Sequence, residues 1–193
     1  MNNLPETITA LEREIFEKQK QLHDLRRQMP PQPVENYTFE GPGGQALTLK
    51  QLFGGKDDLI LIHNMGASCK YCTLWADGFN GVLPHLESRA AFAIVSPDSP
   101  TVQQEFAETR NWKFTMVSDR HTRFTFDMGY AAERDGEVER TPGFSTFQRE
   151  PEGGLFRIAH AEFGPGDVYS GIWHLFEALA DGVAGWQPEY RYP

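Results

Sequence analysis

The stretch Leu59-Ile60-Leu61-Ile62-His63-Asn64-Met65-Gly66-Ala67-Ser68-Cys69-Lys70-Tyr71-Cys72 decides how the chain is read. Its first four residues are a continuous apolar run between Asp57-Asp58 and polar neighbours, the signature of a strand buried on both faces. Two cysteines three residues apart follow, at the start of a helical segment reaching Glu87. Gly78, Gly81 and Pro84 predict a kink or break in that helix. A second apolar strand, Ala91 to Ser96, comes next, then a helix from Pro100 to Asn111 opened by proline and a short strand from Phe114 to Val117.

Working outward, Thr141 to Gln148 and Phe156 to Glu162 read as alternating strands joined by Glu150-Pro151-Glu152-Gly153-Gly154. Ile172 to Ala180 reads as a closing helix with Ile172, Leu175, Phe176 and Leu179 on one face. Upstream, Tyr37 to Leu49 is a hairpin around Gly41-Pro42-Gly43-Gly44, and Thr48 to Phe53 opens a short helix stopped by Gly54-Gly55. Strands alternating with helices predict an α/β fold: a parallel sheet covered on both sides, with the late hairpin adding an antiparallel edge.

Residues 5–29 read as one amphipathic helix. Ile8, Leu11, Ile15, Leu22, Leu25 and Met29 follow a 3-4 spacing, Lys18 interrupts it, and Thr7 or Thr9 is the expected cap. Met29-Pro30-Pro31-Gln32-Pro33-Val34 holds three prolines and is a stiff linker, unfit for helix or central strand. The expected organisation is therefore a helix and linker over 1–34 and one domain over 35–193. The helix either packs on that domain or pairs with a second copy as a homodimer; its pattern leaves both open.

Composition bounds the function. The 193 residues are 39% hydrophobic and 23% charged, which suits one domain with an appendage. No apolar run approaches the ~20 residues a membrane helix needs. The first residues lack a basic then apolar leader, so a cytoplasmic protein is expected. Net charge is −9, and residues 1–34 are balanced with five basic and five acidic groups. The acidic excess thus sits in the body, which argues against nucleic-acid and anionic-membrane partners.

The chemistry rests on Cys69 and Cys72, the only cysteines. Unpaired amides and the macrodipole at a helix start favour a thiolate, and Lys70 is expected to add a cation. The spacing brings the second sulfur within one turn of the first, near enough for a disulfide. Cys69 at the tip is the attacking thiol, and Cys72, one turn inward, the resolving one. No metal is expected, because no third cysteine exists and His63 and His85 have the wrong spacing for a zinc site. Inert buried thiols are the competing reading. Thr141-Pro142, at the mouth of a strand, is compatible with a cis bond that sets its backbone beside a neighbouring loop.

Strand, Cys69-x-x-Cys72 helix, strand, helix, then Thr141-Pro142 leading into a hairpin and a last helix resembles the thioredoxin superfamily. Met65-Gly66 and Cys72-Thr73-Leu74-Trp75-Ala76-Asp77-Gly78-Phe79-Asn80-Gly81 resemble, more narrowly, the bacterial thioredoxin-like family DUF899, described as predicted dithiol–disulfide oxidoreductases. Phe39-Glu40-Gly41-Pro42-Gly43-Gly44, Leu52-Phe53-Gly54-Gly55, Trp112-Lys113-Phe114 and Phe126-Asp127-Met128-Gly129 match as well. The resemblance implies a thioredoxin-like fold, a central mixed sheet flanked by helices, with an amphipathic N-terminal extension. It implies exchange of a Cys69/Cys72 dithiol–disulfide with a protein or small-thiol partner, no bound cofactor, and a partner groove at Lys70, Tyr71, Thr141 and Pro142. Departures are Ser68 where thioredoxin has tryptophan, Lys70-Tyr71 in place of its Gly-Pro, and a shorter loop before Cys69 than is usual in DUF899.

A peroxiredoxin-like peroxidase is a rival reading, but that site needs proline seven and threonine or serine three residues before its cysteine. Ile62 and Gly66 stand there before Cys69, and Met65 and Cys69 before Cys72. The other alternative is a non-catalytic binding or assembly module on the same fold. Among secondary candidates, Trp75 reads as core and Asp77 as an exposed carboxylate or a proton acceptor. His63 is a tuner of the thiols or a satisfied core histidine. Asp119, Arg120 and His121 are neighbours of the site, and Trp186, Tyr190 and Tyr192 form a docking tail.

Overall fold

The structure is a computed structural model describing residues 3–192; residues 1, 2 and 193 of the two expected segments lie outside it. The apolar run is the central strand β4 (Asp58–His63). On one side it pairs in parallel with β5 (Ala91–Ser96), Leu59 opposite Ala91 and His63 opposite Val95. On the other it pairs antiparallel with β9 (Gly143–Arg149), His63 opposite Gly143. Strand β6 (Thr115–Ser118) extends the parallel set, and β10 (Leu155–Glu162) pairs antiparallel with β9. The hairpin β2 (Thr38–Glu40) and β3 (Ala46–Thr48) joins the β6 edge, and β1 (Gln32–Pro33) joins the β10 edge. The eight-stranded order is β1-β10-β9-β4-β5-β6-β2-β3.

Period-two alternation explains why β4 is apolar throughout. Leu59 and Leu61 pack with Phe53, Phe124 and Phe147 on one face. Ile62 packs with Trp75, Phe92, Ile94 and Met116 on the other. The first face is covered by α2 (Leu49–Leu52), opened by a reciprocal Thr48–Gln51 capping box, and by α6 (Phe124–Asp127). The second is covered by α3 (Lys70–Gly81), α4 (Leu83–Arg89) and α5 (Pro100–Arg110). The expected break between α3 and α4 falls at Val82, two residues before Pro84, which supplies no amide to continue the ladder.

Four expectations need correcting. The proline-rich linker is tied to the sheet: Gln32 and Pro33 sit opposite Arg157 and Phe156, and Val34 N–H donates to Leu155 O at 2.9 Å. An edge strand tolerates proline because its outer N–H is not needed. The hairpin of β7 (Ala131–Arg134) and β8 (Glu137–Arg140) was not expected, because exposed strands carry no apolar alternation. Its one signal is Asp135-Gly136, both at positive φ (51° and 81°), as a type I′ turn requires. The closing helix α7 (Gly171–Glu177) does not bury its predicted face: Leu175 and Leu179 are 69% and 60% exposed. It is held instead through Trp173 and Phe176 against Trp186.

The fourth concerns α1 (Leu4–Gln28). Thr7 and Thr9 do not cap it; their hydroxyls donate to the carbonyls of Asn3 and Pro5, one turn back. No residue of α1 is buried, and only its last turns approach β10, with Arg26 Nη1 3.5 Å from Tyr169 Oη. Packing of its apolar face on the domain does not occur. No helix among the described residues is long and apolar enough to cross a membrane.

Candidate active site

The chain leaves β4 through Asn64 and turns into α3 within five residues, and two side-chain oxygens, one amide and one carboxylate, hold that turn. Asn64 Oδ1 accepts Gly66 N–H and Asp98 Oδ2 accepts Ala67 N–H, both at 2.8 Å. Gly66 has φ 114°, and a Cβ there would stand 3.1 Å from the Asp98 carboxylate, so glycine is the residue this turn admits. Cys69 N–H then donates to Gly66 O at 3.1 Å, and Cys69 takes the N-cap of α3.

Both cysteines are free thiols, Cys69 half-buried and Cys72 buried. Cys69 Sγ accepts the Cys72 backbone N–H at 3.1 Å, as a Ser or Asp cap oxygen would. The Cys72 thiol donating to it, and the Cys72 and Tyr71 amides, bring the Cys69 pKa down to about 7 against the opposing effect of burial. The Cys72 thiol is pushed up, first because its proton is committed to Cys69 and then by burial; the Met65 amide offsets part of this. The two thiols are thus pushed in opposite directions, Cys69 toward the thiolate and Cys72 toward the protonated form, the asymmetry that an attacking and a resolving cysteine would need.

Replacing Cys72 by alanine is expected to raise the Cys69 pKa by about one unit, because a hydrogen bond to a charged group is worth ~1.5 kcal/mol or more. Cys72→Ser, which keeps a hydroxyl donor, should move it less. The pH dependence of alkylation of Cys69 in each variant measures this, and an unchanged midpoint in Cys72→Ala would contradict the assignment.

Lys70 does not supply the expected cation. Its ammonium pairs with Glu189 and lies 5.8 Å from the Tyr190 ring centre, which draws it to the tail. Tyr71 packs between Trp75 and Trp173. Thr141-Pro142 precedes Gly143, which pairs with His63 at the end of β4 from which the cysteine turn departs. Its peptide bond is trans, as are all bonds among the described residues, so the expected cis geometry is corrected. Thr141 N–H donates to Tyr130 O at 2.9 Å and Pro142 O accepts Phe163 N–H at 2.8 Å, so sheet and hairpin already use this backbone.

Trp75 is core, as expected. Asp77 is neither free nor a base for the thiols: Arg110 grips its carboxylate with two nitrogens, and Trp112 Nε1 donates to it at 2.8 Å. His63 faces the side of the sheet opposite α3, stacked 3.8 Å from Tyr130 and bonded through Nε2 to Ser145 Oγ at 3.0 Å. Asp119 pairs with Arg140 and Arg120 with Glu40, so that loop serves structure. The tail does dock. Arg110 Nη1 holds Tyr190 O at 2.9 Å, Pro188 is buried, and Trp186 and Tyr192 stack. A cleft of about 280 Å³ between α3, α7 and this tail is lined by Lys70, Thr73, Asp77, Phe176, Trp186 and Pro188. Sequence reasoning missed Glu189 and Asp98 because pairings 119 and 31 residues apart leave no local pattern, whereas Asn64, two residues before Gly66, carries the local signal of a side-chain-bonded turn.

Residues 4–188 match the model of a family described as "Bacterial protein of unknown function (DUF899)". Among curated proteins none matches. Solved structures share the fold. Peroxidoxin BcpB from Mycobacterium tuberculosis superposes with a TM-score of 0.57 at 20% identity, over 81% of this chain and 97% of its own. A mutant of PrxQ from Xylella fastidiosa gives 0.59 at 17% identity, over 74% and 90%. Peroxiredoxin Q from Xanthomonas campestris gives 0.53 at 24% identity, over 65% and 79%. The architecture is therefore thioredoxin-like.

Proposed function

This chain belongs to the DUF899 family of bacterial proteins, and from the paired thiols at the head of α3 we propose that it is a thiol–disulfide oxidoreductase. The observation that carries the reading is the N-cap geometry: Cys69 is half-buried and its Sγ accepts the Cys72 amide, and that amide together with the Cys72 thiol draws its pKa down to about 7. Cys69 thiolate attacks one sulfur of a partner disulfide, forming a mixed disulfide and expelling the other partner sulfur as thiolate. Cys72 then loses its proton to that thiolate and attacks Cys69 Sγ, expelling the second partner thiolate. The partner gains two electrons and the chain keeps a Cys69–Cys72 disulfide; the reverse sequence oxidises a dithiol. No bound cofactor takes part. Lys70, Tyr71, Thr141 and Pro142 flank the approach on this reading, with the cleft beside Lys70 accepting the partner chain.

The PrxQ-type neighbours raise hydrogen peroxide as the oxidant. Gly66 offers no hydroxyl where the peroxidase pattern needs one, so turnover with peroxide should be slow compared with turnover of disulfides.

The test is trapping. Cys72→Ser should accumulate mixed disulfides with a disulfide-bonded protein or with oxidised glutathione, and Cys69→Ser should accumulate none. Trapping by Cys69→Ser alone reverses the two roles; trapping by neither, with no peroxide consumption, removes the catalytic reading in favour of a binding module.

A further inference from the structure

The apolar stripe of α1 is solvent-exposed along its whole length: Leu4, Ile8, Leu11, Ile15, Leu22, Leu25 and Met29 are each 46–66% exposed. A 25-residue helix, about 37 Å long at 1.5 Å per residue, does not hold such a stripe alone in water, because most helical stability in proteins comes from packing an amphipathic face. Among the described residues the domain meets α1 only where its last turns approach β10, and leaves the stripe uncovered.

We propose that α1 pairs antiparallel with α1 of a second copy, making the protein a homodimer with its two thiol sites at opposite ends of a helical rod. The direction follows from charge. The stripe is a heptad seam with Leu4, Leu11, Lys18 and Leu25 at one core position and Ile8, Ile15, Leu22 and Met29 at the other. In a parallel pair, equal positions meet, so two Lys18 ammonium groups share one core layer. In an antiparallel pair, one register lines the seam end to end: Leu4 with Met29, Ile8 with Leu25, Leu11 with Leu22, and Lys18 with Ile15. Each Lys18 then lies within a turn of Glu12 and Glu14 of the second copy, and its stem covers Ile15 while its charge reaches their carboxylates. Flanking positions bring Glu12 to Gln19 and Glu14 to Gln21, and the two Lys18 stand in adjacent layers on either side of the dyad, each beside these carboxylates, instead of sharing one layer.

The bodies point the same way. Residues 35–193 carry the whole net charge of −9, and α1 meets its own domain only at its last turns, beside β10. A parallel pair sets two acidic bodies side by side; the antiparallel pair separates them by the length of the rod. Residues 1–34 themselves are neutral, so the helices do not repel.

Light scattering on the full chain at micromolar concentration should give twice the chain mass. Leu11→Glu should give the single-chain mass while thermal unfolding of the domain stays unchanged. Direction is read in a Cys69→Ser, Cys72→Ser background: differently tagged Leu11→Cys and Leu22→Cys chains should cross-link to each other when mixed, and neither to itself. A single-chain mass for the unaltered protein overturns the proposal, as does a doubled mass that survives Leu11→Glu. Self-cross-linking of each variant overturns the antiparallel arrangement.

Discussion

A Gly143→Ala variant is expected to lose about 3 kcal/mol of folding stability, the upper part of the usual range for overpacking a filled interior. An alanine Cβ at this position would stand 2.4 Å from the carbonyl oxygen of Ala161 and 2.4 Å from Cε1 of Tyr130. One obstacle is backbone of the neighbouring strand, paired in register with Gly143 through Glu162, so it cannot swing aside as a side-chain tip can. The other is a ring held by its hydroxyl, whose single proton is shared between Phe144 O at 2.6 Å and Ala161 O at 3.0 Å. Relief requires β9 and β10 to part at the end of the sheet nearest the cysteine turn, where Gly143 faces His63. Denaturant unfolding measures the loss, with a Tm lower by ~6–12 °C for a chain of this length. A change below ~1 kcal/mol would show that the strands give way freely and that the close approach is not a constraint.

The same strand shows how far local reading reaches. β4 and β5 were legible because a strand covered on both faces must be apolar at every position, a rule needing no knowledge of partners. The cysteine helix was legible because its start carries chemistry as well as pattern. What failed was whatever depends on distant partners or on exposure. The β7–β8 hairpin has Ala-Ala-Glu-Arg and Glu-Val-Glu-Arg as strands, with no apolar face to announce them, and only Asp135-Gly136 marks the turn. Lys70 was read as a cation for the thiols because it adjoins Cys69 in sequence; Glu189, 119 residues away, claims it. Of the two readings that each residue admitted, Asp77 and His63 do not take the chemical one, for the same reason: Arg110 and Ser145 hold them from other elements. At the site, then, the cysteine geometry was readable, and its surroundings were not.

His63 carries the other large effect. Stability should fall by about 2 kcal/mol between pH 7 and pH 5, and most of that slope should vanish in His63→Gln. The ring is 2% exposed, stacked between Tyr130 and Phe124, with Nε2 bonded to Ser145 Oγ. Burial drives its pKa well below the ordinary 6.5, and Arg157, His160 and Arg140 push the same way by repelling a second positive charge. Arg157 Nε donates to the same Ser145 oxygen at 3.1 Å, so the hydroxyl bonded to Nε2 is shared with a cation that disfavours an imidazolium. In the unfolded chain the same histidine takes up a proton near pH 6.5. Below that value the unfolded state therefore holds one proton more than the folded state, and stability drops by ~1.4 kcal/mol per pH unit until the folded ring is itself protonated. Above pH 7 both states are neutral and the contribution is flat. His160, also lowered by burial, adds to the slope with the same sign. Glutamine at position 63 should lower stability at every pH, since it gives up the stacking, but it has no proton to take up. A slope that persists in His63→Gln would assign the acid sensitivity to other groups and leave the buried ring a purely steric part of the core.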